Sequence, residues 1–513
     1  MTATLHRVGR SLGRRQRWVW AIPLPVFLLV LVDHAHLAVL VAILFGTGFL
    51  VLVGRRPAAA ISALLVLLVF NTALLAVLFR IGLPASVVRG LGYWKEGVVI
   101  GALLELIRRA KPLRPDALDI VAGTYAALGT LYLLLPRLAV GHAIGSSISL
   151  SNRALGWRSD VVYVAIFLIV RHLRFERRTI EAIFRRLLVV AVVAAVAGVL
   201  ELVASGTWNH VAVSDLGVQT YRHIVLHQQP GPGFHLDDVR VYGHIGSHQF
   251  VRIGSVLFDY LGIGFIFVIG LGTAAELIVR GRASRWIYAA FPVMIVALLL
   301  TQTRSAILAG AAATVWALWP RAGRLRSQRI RFARILAVLV VAVVPLALAT
   351  GALDRFSGGT GSNSEHRSGF TAGISVMGAN PLGRGLSTGA GGGQLVVQRQ
   401  RGVTPVVFVT EDQYLQVGTQ LGIAGLVLYL ATVVLLLRRL LARSPADAST
   451  FAPPAMANIA VGTLLGAIFT LPFVGVDVAW IFWGLAGLAI SALDHPATTT
   501  MPPIASLTRR SWS

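Results

Sequence analysis

The chain has 513 residues, of which 56% are hydrophobic and 13% charged, against about 25% charged in an ordinary soluble protein. Its mean hydropathy is +0.75. These values exclude a soluble enzyme, a disordered chain and a nucleic-acid-binding domain. The apolar residues fall in blocks of about 15–22, long enough to cross a bilayer, so the sequence predicts a polytopic membrane protein.

The N-terminus, with Arg7, Arg10 and Arg14 to Arg17 ahead of an apolar stretch, reads as a cytoplasmic flank and not as a removed signal peptide. Apolar spans follow near 18–32, 37–53, 58–79, 96–108, 117–135, 160–173, 187–204, 256–277, 286–302, 305–320, 335–351, 413–437, 457–472 and 475–492. Counting the short ones cautiously, this gives about 12–14 spans. Basic clusters follow alternate spans: Arg7 to Arg17, Arg55–Arg56, Arg108 to Arg114, Arg171 to Arg186, Arg280 to Arg285, Arg321 to Arg334 and Arg438 to Arg443. Positive charge marks the cytoplasmic side, which puts both termini in the cytoplasm. The net charge of +25 is thereby read as topology and not as a nucleic-acid signal. The absence of cysteine excludes disulfides, Cys-ligated metals and thiol catalysis.

The expected organisation is N-terminal transmembrane helices over 1–204, a first extracytoplasmic loop over 205–255, and further transmembrane helices over 256–351. A long extracytoplasmic loop over 352–412 follows, then C-terminal transmembrane helices over 413–493 and a flexible cytoplasmic tail over 494–513. Loops of this length in a compact protein are usually functional or disordered. Both contain aromatic and apolar residues, which favours order.

Several external arginines oppose the positive-inside trend: Arg222, Arg240 and Arg252 in or ending the first loop, Arg304 between two spans, and Arg355, Arg367, Arg384, Arg399 and Arg401 in the second loop. Any one could snorkel to headgroups. Arg252, Arg304 and Arg367 sit in distinctive local patterns, and guanidinium groups at a membrane face suit a diphosphate. Arg252 lies among Gly243, Gly246 and Gly254, just before a span, with Asp259 inside the following apolar run. Asp259 is either an intramembrane carboxylate with a partner or a helix-end residue reaching water. Arg304 lies in Thr301–Gln302–Thr303–Arg304–Ser305, a polar interruption that predicts a tight turn between two spans. Arg367 precedes an amphipathic stretch that ends at Asn380–Pro381–Leu382–Gly383–Arg384–Gly385, a chain-breaking pattern.

Farther on, Thr410 and Gln413 have the spacing of a capping box. Glu411 and Asp412 fall in the first turn, where the helix dipole favours carboxylates. They either start a helix only, or place a carboxylate where it accepts a proton from a sugar hydroxyl. Gly418 and Gly422 have the spacing of close helix packing. His210, His223, His227, His235, His244 and His248 crowd the first loop at irregular spacings. No HExxH is present, and no metal site is expected.

These patterns, in this order, resemble the O-antigen ligase and polysaccharide polymerase superfamily. Arg252–Ile253–Gly254 matches its Arg–x–Gly element entering a span, and Thr303–Arg304–Ser305 its outer Arg motif. Arg367 with Pro381–Leu382–Gly383–Arg384–Gly385 matches the loop pattern. Glu411 to Leu415, with Gly422 to Gly425, matches the polar pair and Gly-rich helix that follow. Ligases of the family usually carry His–Asn or His–Ser at the position of Glu411–Asp412, and the acidic pair here looks more like the polymerase and exopolysaccharide branches.

The resemblance implies an all-α, GT-C-like transmembrane bundle with short helices in two long extracytoplasmic loops. It also implies inverting, metal-independent and cofactor-free glycosyl transfer in the cytoplasmic membrane, with the 352–412 loop catalytic. The implied donor is a polyprenyl-diphosphate-linked glycan, and the acceptor a glycan or lipid-glycan. Arg252, Arg304, Arg367 and Arg384 would hold the diphosphate, with Arg304 stabilising the leaving charge and Glu411, or else Asp412, acting as base. Membrane lipids are expected partners and nucleic acid is not. A transporter or lipid-linked glycan flippase fits the span count equally well, but it predicts ionisable residues near the midplane. The clearest deep polar residue is Asn71, which is uncharged. A non-catalytic subunit of envelope polysaccharide assembly is the third reading.

Overall fold

The computed structural model describes residues 48, 54–108, 115–134, 150–228, 235–245, 248–319, 326–334, 336–337, 361–389, 412–442, 450–473 and 475–494. The expected span at 18–32, almost all of those at 37–53 and 335–351, the tail beyond Asp494, and Glu411, Arg355, Arg399 and Arg401 lie outside them.

The chain is an all-α polytopic helical protein. Six helices among the described residues are long and apolar enough to cross a membrane: Pro57–Arg80, Ala117–Leu134, Arg177–Val203, Tyr260–Val279, Gln413–Ala442 and Asp477–Asp494. The first is two α-helices, α1 (Pro57–Leu67) and α2 (Asn71–Arg80), joined by one 3₁₀ turn. Asn71 sits at that joint, where its Oδ1 accepts a 3.0 Å bond from Trp94 Nε1. The deep polar residue is thus satisfied locally.

After α3 (Ala85–Leu91) and α4 (Trp94–Arg108) come α5 (Ala117–Leu134), α6 (Leu150–Asp160), α7 (Val162–His172) and α8 (Arg177–Val203). The central helix is α11 (Tyr260–Val279). Apart from Glu276, which pairs with Arg280, it is apolar on nearly every side, and it is buried from Gly262 to Val279, as such a pattern requires. Around it pack α8, α12 (Arg285–Thr301), α13 (Arg304–Trp316) and α16 (Ala452–Gly466). The α13–α16 contact is close because both helices present small residues. A Cβ added at Gly462 would stand 2.2 Å from the Ala309 carbonyl oxygen, so only glycine lets these backbones meet. The remaining helices are α14 (Gly361–Ala379), α15 (Gln413–Ala442) and α17 (Val476–Asp494).

Ion pairs define the two ends of the bundle. At one end Arg171 pairs with Asp116 and Asp119, each at 2.6 Å, and with Asp494 at 3.0 Å. Arg439 pairs with Asp116 and Asp494 as well. This cluster ties the ends of α5, α7, α15 and α17, where buried charge is tolerated only because each group is paired. At the other end Lys95 meets Asp477 at 2.9 Å and joins α4 to α17.

The described residues of the expected first loop lie at this second end. It contains α9 (Ser205–His210), a π turn (Val211–Asp215) and α10 (Val218–Ile224). A hairpin follows, β1 (Val241–Ile245) with β2 (His248–Arg252), paired antiparallel with Val241 opposite Arg252. The reading of the loop as short helices omitted this strand pair. A small apolar core of Leu75, Val88, Val218, Tyr221 and Phe258 seats the segment against α2 and α3.

Candidate functional site

The turn between α12 and α13 is built as its polar residues dictate. Gln302 closes α12 in the left-handed region at φ +53°. Thr301 Oγ1 accepts from the Thr303 amide at 3.2 Å, and Thr303 Oγ1 reaches the Tyr260 carbonyl at 3.2 Å. Arg304, half-buried, is therefore the first residue of α13 on a rigid frame.

The hairpin brings Arg252 to the same turn. Its Nε donates to the Thr301 carbonyl at 3.1 Å, its Nη2 lies 3.4 Å from Thr303 Oγ1, and its guanidinium lies over the Tyr260 ring at 3.6 Å. Behind it Glu201 Oε2 accepts from the amides of Gly254 at 3.0 Å and Ser255 at 2.6 Å, which fixes the backbone that presents Arg252. Burial pulls the Arg252 guanidinium below its usual value, and neighbouring Arg304 acts in the same direction. The Tyr260 side chain and the Asp259 carboxylate oppose that shift. Ser255, Phe258 and Gln302 all have φ between +49° and +54°. Left-handed non-glycine residues are uncommon and gather at functional sites.

Asp259 is the N-cap of α11, accepting from the amides of Leu261 at 3.0 Å and Gly262 at 3.1 Å. It is a half-buried helix-end residue, which fits one of its two sequence readings. Burial pushes its carboxyl up, the two backbone bonds and Arg222 opposing.

Asp412 is buried and caps α15 through a 2.8 Å bond from the Leu415 amide. The cap is thus Asp412, two residues beyond the predicted Thr410, which lies outside the described residues. Burial raises the Asp412 carboxyl, and bonds from the Leu415 and Tyr414 amides oppose it. The Gln413 amide donates to the Ala467 carbonyl at 3.0 Å. Ala467 follows Gly466, where an added Cβ would lie 3.1 Å from the Ser305 carbonyl oxygen. Arg304 and Asp412 therefore flank one turn at the end of α16.

Farther along α15 come Gln416 and Gln420, and the helix then breaks at Gly422, whose φ is +73° and ψ −173°. Gly418 packs against Met377 of α14. Gly422 packs no helix; its role is the break itself. Without the break, the Thr419 and Gln420 carbonyls would accept from the amides four residues on. Here they accept from the amides of Arg384 at 2.8 Å and Gly385 at 2.9 Å, while the Ile423 amide donates to Pro381 at 2.9 Å. The chain-breaking pattern around Arg384 is thus docked into the break. Arg384 is half-buried, which lowers its pKa. Arg367 is exposed on α14, and among the described residues no hydrogen bond or ion pair ties its side chain to Arg252 or Arg304.

The sequence reading missed Asp160, at the end of α6. It accepts from Gln420 Nε2 at 3.0 Å and Gln416 Nε2 at 3.3 Å. A signal existed: two glutamines four apart share one helix face, and amides in an apolar helix need a partner. Of the loop histidines, His227 meets Arg89 at 2.7 Å and His223 the Gln228 carbonyl at 2.9 Å. Among the described residues no group of three His, Asp or Glu could hold a metal ion.

Curated proteins give no match to this chain. The O-antigen ligase family model matches residues 289–430, the stretch that carries the Arg304 turn, the docked Arg384 segment, Asp412 and the break at Gly422. Over residues 289–430 the chain is therefore similar to the O-antigen ligase family, which supports the resemblance to the O-antigen ligase and polysaccharide polymerase superfamily.

Proposed function

We propose that this protein moves a glycan from polyprenyl diphosphate to a sugar hydroxyl on the extracytoplasmic face of the cytoplasmic membrane, with both termini in the cytoplasm. The observation that carries the reading is that Arg252 bonds the turn from which Arg304 starts α13, while the Gln413 amide next to Asp412 bonds the Ala467 carbonyl, one residue past the Gly466 that packs on Ser305. In this scheme the acceptor oxygen attacks the anomeric carbon with inversion. The bond from that carbon to the diphosphate oxygen breaks, its electron pair leaves with polyprenyl diphosphate, and Arg252 and Arg304 stabilise the charge. The acceptor proton passes to Glu411 or Asp412. Arg384, and Arg367 from the 352–412 loop, complete the diphosphate contacts. The acceptor is a glycan or lipid-glycan, and no cofactor takes part.

The test is to reconstitute the protein in lipid with a polyprenyl-diphosphate oligosaccharide from its host. Free polyprenyl diphosphate together with longer glycans is the expected result. Transfer to another acceptor without lengthening would make it a ligase. Folded protein with no turnover on any such donor would defeat the reading.

The role of Asp412 separates from its capping role. Asparagine caps a helix as well as aspartate does, so Asp412→Asn is expected to cost less than the ~1 kcal/mol of a lost cap. If Asp412 is the base, loss of proton acceptance costs about 10²–10⁴-fold in turnover. Because burial raises this carboxyl, the acid limb of the rate profile should then lie above the usual aspartate value and vanish in the variant. Unchanged turnover in Asp412→Asn, with loss in Glu411→Gln, assigns the base to Glu411.

A further inference from the structure

We propose that Asp160 is a positioning residue: through the Gln420 side chain it holds segment 381–389, and with it Arg384, against the break in α15. Only its link to turnover rests on the glycosyl-transfer reading above. Asp160 lies outside the 289–430 match and comes from α6. It is 3% exposed, and among the described residues no cation pairs with it. Both glutamines turn their amide Nε2 to it, and an ionised carboxylate offers them acceptors only.

That single property orients a relay. A glutamine amide has one donating and one accepting end. Gln420 Nε2 donates to Asp160 Oδ2 at 3.0 Å, which turns Oε1 toward Ser387, whose amide donates to it at 2.9 Å. The opposite orientation would set donor against donor at Ser387 and acceptor against acceptor at Asp160. Ser387 has φ +66°, a conformation that needs support in a residue with a side chain. Helix α6 also touches the segment directly, since a Cβ at Gly156 would lie 2.5 Å from the Ser387 amide nitrogen. Tyr132 of α5 donates to the Leu382 carbonyl at the far end of the segment. The other ionisable groups around Asp160 are Tyr125, which donates to its carbonyl at 2.7 Å, Tyr163 and Tyr429. None is cationic, so the glutamines are the outlet for its charge.

The test is amide hydrogen exchange on the full chain in lipid at neutral pH. Asp160→Leu should speed exchange in 381–389 about tenfold or more, the scale of a lost charge-assisted bond. Asp160→Asn, which keeps an acceptor for Gln420, should restore protection, and exchange in α11 should not change in either variant. Gln420→Met cuts the relay while leaving Asp160 bonded to Gln416, and should give the same local release should Asp160→Leu not fold. Turnover is expected to fall with the loss of protection and to recover in Asp160→Asn. Unchanged protection of 381–389 in both Asp160→Leu and Gln420→Met overturns the proposal. So does faster exchange spread equally through α11 and α17, which marks a general structural role. Local release in a protein that transfers no lipid-linked glycan leaves the relay standing and defeats the glycosyl-transfer reading instead.

Discussion

Arg304→Ala is expected to lower kcat about 10²- to 10³-fold on a polyprenyl-diphosphate glycan, the usual cost of removing one preorganised donor to a developing negative charge. The expectation comes from placement. Arg304 starts α13 on a turn fixed by Thr301, Thr303 and the left-handed Gln302, and Arg252 bonds the same turn through the Thr301 carbonyl. Cations held together by the fold, and not drawn together by an anion, are ready before the leaving group departs. Alanine is tolerated in the first turn of a helix, so the melting temperature should stay near that of the unmodified protein and the loss should be chemical. Arg304→Lys keeps the charge without the planar fork and should recover part of the rate. A rise in KM with kcat intact would reduce Arg304 to ground-state binding. Unchanged kcat and KM would remove it from the site.

Gly422→Ala is expected to cost about 2–6 kcal/mol of stability, summing backbone strain and overpacking. At φ +73° and ψ −173° the backbone is in territory open essentially to glycine alone. An added Cβ would stand 2.4 Å from the Pro381 carbonyl oxygen and 2.5 Å from the Leu382 carbonyl carbon. Both are backbone atoms and cannot turn aside. Relief requires either unfolding or withdrawal of 381–389 from the break. Thermal unfolding in detergent reads the first, and hydrogen exchange at Arg384 and Gly385 reads the second. A variant that melts normally and keeps those amides protected would contradict this account of the break.

Much of the fold was legible because membrane spans are written in local composition. The apolar blocks at 58–79, 117–135, 256–277 and 475–492 return as helices shifted by a few residues. The tight turn at Arg304 was legible because five polar residues interrupt two apolar runs. The span near 187–204 was drawn too short, because α8 begins at Arg177 and its first turns carry charge. Helix α6 was not drawn at all, since its mixed sequence has no apolar face of helical period. Gly422 was read as half of a packing pair. Its spacing from Gly418 suits that role, and nothing local reveals that the chain turns there to admit Pro381.

By itself the sequence determined a polytopic helical membrane protein, the position of a polar turn at Arg304, and a chain-breaking segment around Arg384. Each is a property of ten to thirty consecutive residues, which composition and period report directly. The tertiary structure decided which of these meet. Arg252 reaches the carbonyl of Thr301, and Asp160 reaches Gln420, across 49 and 260 residues of chain. Arg367, on an equally suggestive motif, stays on an exposed helix. Such pairings depend on how helices pack and where one of them breaks, and hydrogen bonds between distant residues leave no period in the chain that makes them.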